Sequence, residues 1–254
     1  MKRIVVKIGT NVLADKKGTI NYKVMKNLVK DIIKIKKRHM EILIVTSGAI
    51  GAGMSELGIE KRPSDVRMQQ TCAAVGQSIL ISKYREFFSK YGIKVAQILL
   101  AYRDFTDKKT EINMLNSINT LLSLGVMPII NENDPVSINE LGPSFGDNDN
   151  LSAMVACNLK ADALIILTNV DGLYNKDPKS NDAKIIHNVR DFSFIGNIGG
   201  ASDGLGIGGI KTKIAAAKLA TSNGIKTIIA NGTKTGVLDD IMSGKKIGTV
   251  FHTK

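Results

Sequence analysis

The chain has 254 residues, 43% apolar and 23% charged, which is long enough to bury a sizeable core and too apolar for a disordered polypeptide. No apolar run approaches the roughly 18 residues that span a bilayer, Lys7 interrupts the N-terminal apolar stretch a secretory signal would need, and Cys72 and Cys157 are too few to staple a chain this long. The net charge of +12 rests on 28 Lys against 7 Arg; it reads either as attraction to an anionic partner or as general lysine richness, without the arginine forks and stacking aromatics of a nucleic-acid groove.

Strand and helix patterns alternate along the chain. Arg3 to Ile8 reads as a buried strand. Met25, Leu28, Val29, Ile32 and Ile33 then recur at helical spacing, and Lys34 to Arg38 place cations at that helix's C-terminal end. Ile42 to Val45 is a second strand, closed by Thr46-Ser47-Gly48. A helix rich in Gln and Ala spans about Val66 to Phe88. Lys94 to Leu100 is a third strand, and Leu115, Ile118, Leu121 and Leu122 mark a further helix. Val126 to Ile130 is a fourth strand, running into the polar loop Asn131-Glu132-Asn133-Asp134. Leu151, Met154, Val155 and Leu159 give a helix, and Ala163 to Leu167 a fifth strand. A glycine-rich stretch from Gly196 to Gly209 precedes a helix with Ile210, Ile214 and Ala217 on one face. Lys226 to Ala230 and Ile247 to Phe251 close the chain as strands.

This alternation predicts a mostly parallel sheet with helices on both faces. No Pro/Ser-rich linker and no internal repeat divides it, so one domain, 1–254, is expected. In open parallel sheets ligands sit beyond the carboxyl ends of the strands. The chemistry-bearing residues do fall there.

Four loops stand out. Lys7-Ile8-Gly9-Thr10-Asn11 ends a strand with a lysine and a glycine turn, which suits a phosphate or is an ordinary strand end. Thr46-Ser47-Gly48-Ala49-Ile50-Gly51-Ala52-Gly53 has small residues that admit either a ligand or a close-packed helix. It is not a P-loop, because no Gly-Lys-Ser/Thr follows. Asn131-Glu132-Asn133-Asp134 and Gly146-Asp147-Asn148-Asp149-Asn150 concentrate carboxylates and amides. Helix capping explains one or two of these, and the spacing lacks the pattern of an EF-hand. Such a set fits a zwitterionic small molecule. Gly204-Leu205-Gly206-Ile207-Gly208-Gly209-Ile210-Lys211-Thr212-Lys213 puts glycines and a Lys-x-Lys pair at a helix start, an anion cradle or a flexible linker. Scattered His and Cys give no zinc module.

With these loops, and with Gly172-Leu173-Tyr174 and Asp177-Pro178, the chain resembles the amino acid kinase superfamily over nearly its whole length, and within it the glutamate 5-kinases. The resemblance implies a three-layer αβα sandwich around a roughly eight-stranded, mostly parallel sheet. It implies an acceptor-binding lobe at about 1–160, a nucleotide-binding lobe at about 161–254, and the form without a C-terminal PUA domain. The reaction implied is ATP + L-glutamate → ADP + L-glutamyl 5-phosphate, with Mg²⁺ on the nucleotide and no protein metal ligand assigned.

By the same resemblance, Lys7 and Lys213 contact the transferred phosphates and Asp149 organises them. Ser47, Gly48, Asp134 and Asn148 hold the acceptor. Lys7, Gly9, Thr168, Asn169, Gly206, Ile207, Gly208, Gly209, Ile210, Lys211, Thr212 and Lys213 hold ATP. Asn169 stands where the family often has Asp, and Ile207 and Lys211 where it has small hydroxyl residues. A cytoplasmic homo-oligomer is expected, with L-proline as feedback inhibitor and neither nucleic acid nor membrane as partner. The rival readings are a carbamate, acetylglutamate or aspartate kinase, or a basic nucleotide- or nucleic-acid-binding protein.

Overall fold

The β-branched runs form the centre of one sheet in the computed structural model, which describes residues 1–14, 19–136, 148–178, 180–193 and 207–253. The strands are β1 (Arg3–Ile8), β2 (Glu41–Thr46), β3 (Val95–Leu100), β4 (Met127–Glu132), β5 (Ala163–Thr168), β6 (Asn188–Val189), β7 (Lys226–Asn231) and β8 (Thr249–Phe251). Their order is β3-β4-β2-β1-β5-β7-β8-β6. Every neighbouring pair is parallel except β7 and β8. Strands from residues 3–132 make one half of the sheet and those from 163–251 the other, joined where β1 pairs with β5.

Helices cover both faces: α1 (Thr10–Leu13), α2 (Tyr22–Lys36), α3 (Ala49–Glu56), α4 (Val66–Ser89), α5 (Arg103–Thr106), α6 (Lys108–Ser123), α7 (Asn148–Asn158), α8 (Ile207–Ser222) and α9 (Val237–Met242). On one face Ile4, Val6 and Ile8 of β1 pack with Leu28 and Ile32 of α2 and with Tyr84 and Phe88 of α4. On the other, Val5 packs with Ile118 of α6, Val155 of α7 and Ala217 of α8. Side chains alternate along a strand, so Lys7 shares the face of Val5 and projects toward α7 and α8. That parity decides where the first lysine of the site goes.

Strand boundaries differ from the sequence expectation by more than one residue in two places. β4 runs to Glu132, so Asn131 and Glu132 belong to the strand rather than the loop. β8 starts at Thr249 rather than Ile247, because Gly248 at φ +73° breaks the extended backbone. The helix after the glycine-rich stretch starts at Ile207, which takes Gly208 and Gly209 into its first turn. α1, α3, α5, α9 and β6 had no clear pattern in the sequence. Each is too short for periodicity to register.

α3 and α4 meet along a glycine seam. A Cβ on Gly53 would lie 1.8 Å from the Cys72 carbonyl oxygen, and one on Gly76 would lie 1.8 Å from that of Ala49. Both obstacles are backbone, so relief requires the helices to separate. Gly92, just past the end of α4, has φ +69° but nothing within 4 Å of a Cβ. Gly76→Ala should therefore cost about 3 kcal/mol or more through overpacking, and Gly92→Ala only about 1 kcal/mol through left-handed strain. Urea unfolding of both variants checks this; equal losses would overturn the account of the seam.

Candidate active site

β1 has β2 on one side and β5 on the other, and β1 and β2 are joined through α2 while β5 comes from the far half of the chain. Such a switch point opens a crevice at the carboxyl ends of the strands. Lys7, Gly9, Ser47, Gly48, Asp134, Asn148, Thr168, Gly209 and Lys213 line one cleft there. Residues far apart in the chain are thus brought to a single place. The remaining expected residues lie around it. Thr212 reaches the site through Asp149, Ile210 packs against the core, and Lys211 and Asn169 are exposed. Ile207 and Gly208 open α8 at the backbone level. Gly206, and Gly146 and Asp147 of the polar segment, lie outside the described residues.

Asp149 sits in the first turn of α7 and is 0% exposed. Lys7 Nζ approaches its Oδ1 at 2.6 Å, and Lys213 Nζ its Oδ2 at 3.0 Å. Thr212 Oγ1 donates to the same Oδ2 at 2.9 Å. Burial pushes the Asp149 carboxyl up, but the Lys7 and Lys213 charges outweigh it and hold the group below the usual carboxylate range. The clasp is therefore two cations on one anion, with a net positive charge presented to the cleft. Lys213 Nζ also donates to the Gly209 carbonyl at 2.9 Å, which fixes its stem against the first turn of α8. Gly9 lies against both halves of the sheet: its N–H donates to Leu167 O at 3.3 Å, and a Cβ there would stand 3.3 Å from that oxygen and 3.4 Å from Lys7 Nζ.

The other half of the cleft is built on amides. Asn148 Nδ2 donates to Ser47 Oγ at 3.1 Å and to Asn131 Oδ1 at 3.0 Å. Gly48 turns the chain between β2 and α3 at φ +109°, a conformation that suits glycine. This resolves the two readings of that segment: Gly48 and Gly51 line the cleft, while Gly53 serves helix packing. Asp134 carries a carboxyl pushed up to about 6, first by burial and then by the neighbouring Glu132 charge. Arg62, from the loop between α3 and α4, also lines the cleft and lowers Asp134 slightly. Arg62 and the buried Gln77 were not singled out in the sequence. Arg62 lies in no motif; Gln77 could have been flagged as an amide on the apolar face of a helix.

Among the described residues no group of three His, Cys, Asp or Glu side chains is placed to hold a metal ion. The central carboxylate, Asp149, is already engaged by two lysines. The described side chains thus offer no preformed cage of three ligands for a metal ion. Among the same residues no helix is long and apolar enough to cross a membrane.

Residues 2–231 match the model of the amino acid kinase family. The chain is 46% identical over 252 residues to the glutamate 5-kinase of Caldanaerobacter subterraneus subsp. tengcongensis, covering 98% of this chain and 67% of that protein. It is 44% identical over 258 residues to the glutamate 5-kinase of Clostridium perfringens, covering 100% of this chain and 96% of that one. In fold it resembles the carbamate kinase of Giardia lamblia bound to AMP-PNP, with TM-score 0.70, 18% identity, and 100% and 99% of the two chains covered. It likewise resembles the isopentenyl phosphate kinase of T. acidophilum, with TM-score 0.71, 20% identity, and 99% and 100% covered.

The raised carboxyl of Asp134 has a measurable sign. Between its usual value of 3.8 and about 6 the folded protein holds a proton that the unfolded chain has lost. The stability this contributes is present at low pH and is lost as pH rises through that window. Asp134→Asn cannot ionise. In the ligand-free protein its stability relative to the parent should grow from pH 4 to above 6 and then level off. Thermal midpoints of both proteins across that range are the measurement, and a difference independent of pH would refute the assigned shift.

Proposed function

The chain belongs to the amino acid kinase family, and on that premise we propose that it transfers a phosphoryl group from ATP to the side-chain carboxylate of L-glutamate, giving ADP and L-glutamyl 5-phosphate at the entry to proline biosynthesis. The observation that carries this reading is the clasp of Lys7 and Lys213 on Asp149, set beside the amide-lined half of the cleft.

In the transfer, the bond from the terminal phosphorus to the bridging oxygen breaks and its electron pair leaves with ADP. A new P–O bond forms to a carboxylate oxygen of glutamate. That carboxylate has an ordinary pKa of about 4.3 and is ionised at neutral pH. It has no proton to lose, so the site needs no general base. What it needs is alignment and compensation of charge. Both reactants are anions, and Lys7 and Lys213 reach the transferring group from the two halves of the sheet. Asp149 holds them there by charge-assisted hydrogen bonds.

The acceptor half would hold glutamate by complementary charge: Ser47 and Arg62 for carboxylate oxygens, Asp134 and Asn148 for the ammonium. Gly9, Thr168, Asn169, Gly206 and the start of α8 from Ile207 to Lys213 would hold ATP. Mg²⁺ belongs, in this reading, to the phosphates of the nucleotide and to water. A cytoplasmic location, a homo-oligomeric state and feedback by L-proline extend the same reading and rest on the family alone.

The direct test supplies ATP and hydroxylamine, which traps acyl phosphates, with L-glutamate, aspartate, N-acetylglutamate or carbamate in turn. Hydroxamate should form with L-glutamate alone; equal turnover with any other acceptor would reject the assignment.

Lys7→Ala and Lys213→Ala should each lower kcat on the order of 10²-fold or more, as removal of other transition-state charge partners does. Lys211→Ala should do far less. Asp149→Asn separates organiser from base. It should lower kcat, leave KM for glutamate nearly unchanged, and keep the shape of the kcat–pH profile between about pH 6 and 9. A parent profile with an acidic limb near neutrality that vanishes in Asp149→Asn would show that Asp149 titrates during turnover.

A further inference from the structure

Gln77 is 6% exposed in the middle of α4, beside the glycine seam, and touches none of the residues of the lysine clasp. Its Nε2 donates to the backbone carbonyl oxygen of Glu132 at 3.0 Å. A carbonyl oxygen has no proton to give, so this contact fixes which end of the Gln77 amide is the donor. Oε1 then faces Asn131, whose Nδ2 donates to it at 3.2 Å. Asn131 is fixed in turn, and its Oδ1 accepts from Asn148 Nδ2 at 3.0 Å. The second proton of Asn148 Nδ2 goes to Ser47 Oγ at 3.1 Å.

The consequence appears at the end of this chain. Asn148 Oδ1 is left as an acceptor, buried and with no hydrogen-bond partner among the described residues. Ser47, having accepted from Asn148, retains its own hydroxyl proton to donate. Gln77 Nε2 also lies 3.4 Å from Asp134 Oδ2, so the same amide touches the second acceptor of the pocket. A buried acceptor without a donor is costly, and a ligand N–H removes that cost. Were Gln77 reversed, every amide downstream would reverse, and Asn148 would present a donor to a ligand donor.

We propose that Gln77 is a positioning residue for substrate selection. Through Asn131 it sets the polarity of Asn148, so that the pocket presents acceptors to a free primary ammonium. Acceptors that lack that group, or carry it acylated, are disfavoured by this polarity. The proposal rests on the glutamate reading above and adds a residue that does not touch the substrate.

The test compares L-glutamate with glutarate, the same dicarboxylate without its amino group. KM is measured for glutamate, and Ki for glutarate as its competitive inhibitor, in the parent and in Gln77→Met. Methionine keeps the length of the side chain and removes both its donor and its acceptor. The expected result is a KM for glutamate raised on the order of tenfold, one lost buried polar interaction. Ki for glutarate and KM for ATP should stay within about twofold, because neither ligand uses the ammonium acceptors. The preference for glutamate over glutarate then collapses.

A merely structural role would weaken both dicarboxylates alike, and that outcome, or no change in either, overturns the proposal. Should Gln77→Met not fold, Gln77→Leu serves instead. It too removes the acceptor toward Asn131 and the donor toward Glu132 O, and the same selective loss is expected. Failure of the glutamate reading is separately visible, as absence of glutamate-dependent ATP consumption in the parent protein.

Discussion

A carboxylate buried away from water, held between two ammonium groups, is the constraint around which this fold closes. Asp149 cannot be left uncompensated, because a lone buried charge costs several kcal/mol. Its partners must therefore arrive from β1 and α8 at the same point. The alternation along β1 turns Lys7 to the α7 side, and the first helical turn of α8 sets Thr212 and Lys213 one turn beyond Gly209. One ion cluster thus ties the half of the sheet that ends at Glu132 to the half that begins at Ala163.

The cleft divides its electrostatics along the same line. On the clasp side the residual charge is positive, which suits the crowding of anionic oxygens during phosphoryl transfer. On the amide side the groups are mixed: a hydroxyl, a guanidinium, an amide oxygen and a carboxyl whose ionisation is held back by burial. A site built that way has little to offer a uniformly charged polymer. It matches a small molecule with both signs of charge, and the polarity of each hydrogen-bonding group then matters as much as its presence.

Much of this was written locally. A run of Asn and Asp too dense for capping marks the segments that hold Asp134, Asn148 and Asp149, whereas the lysine near the end of an apolar strand leaves an ordinary strand end open and Lys7 is singled out by the family resemblance. The central strands were equally plain, since β-branched runs in a parallel sheet are buried on both faces. What stayed hidden depends on tertiary approach. Arg62 sits in a loop with no periodic or motif signal. Gln77 carries only the weak signal of an amide on the apolar face of a helix, and its partners Asn131 and Glu132 come beside it only in the fold. Gly53 and Gly48 are indistinguishable in the sequence, yet one packs a helix and the other turns the chain at the cleft. The start of α8 is not legible because glycines weaken a helix on their own, yet Gly208 and Gly209 lie in its first turn.

The glycine seam has a consequence for how such a protein tolerates change. α3 begins at the Gly48 turn, and α4 carries Gln77 immediately after Gly76. The two helices are in backbone contact, so they behave as one mechanical body whose lever arms end at the acceptor half of the cleft. A methyl group inserted at residue 53 or 76 would be transmitted as a displacement of the turn and of the amide chain together. Positions that no substrate atom reaches would then register, in an activity screen, as determinants of acceptor affinity. A ranking of residues by distance from the ligand would discard them first.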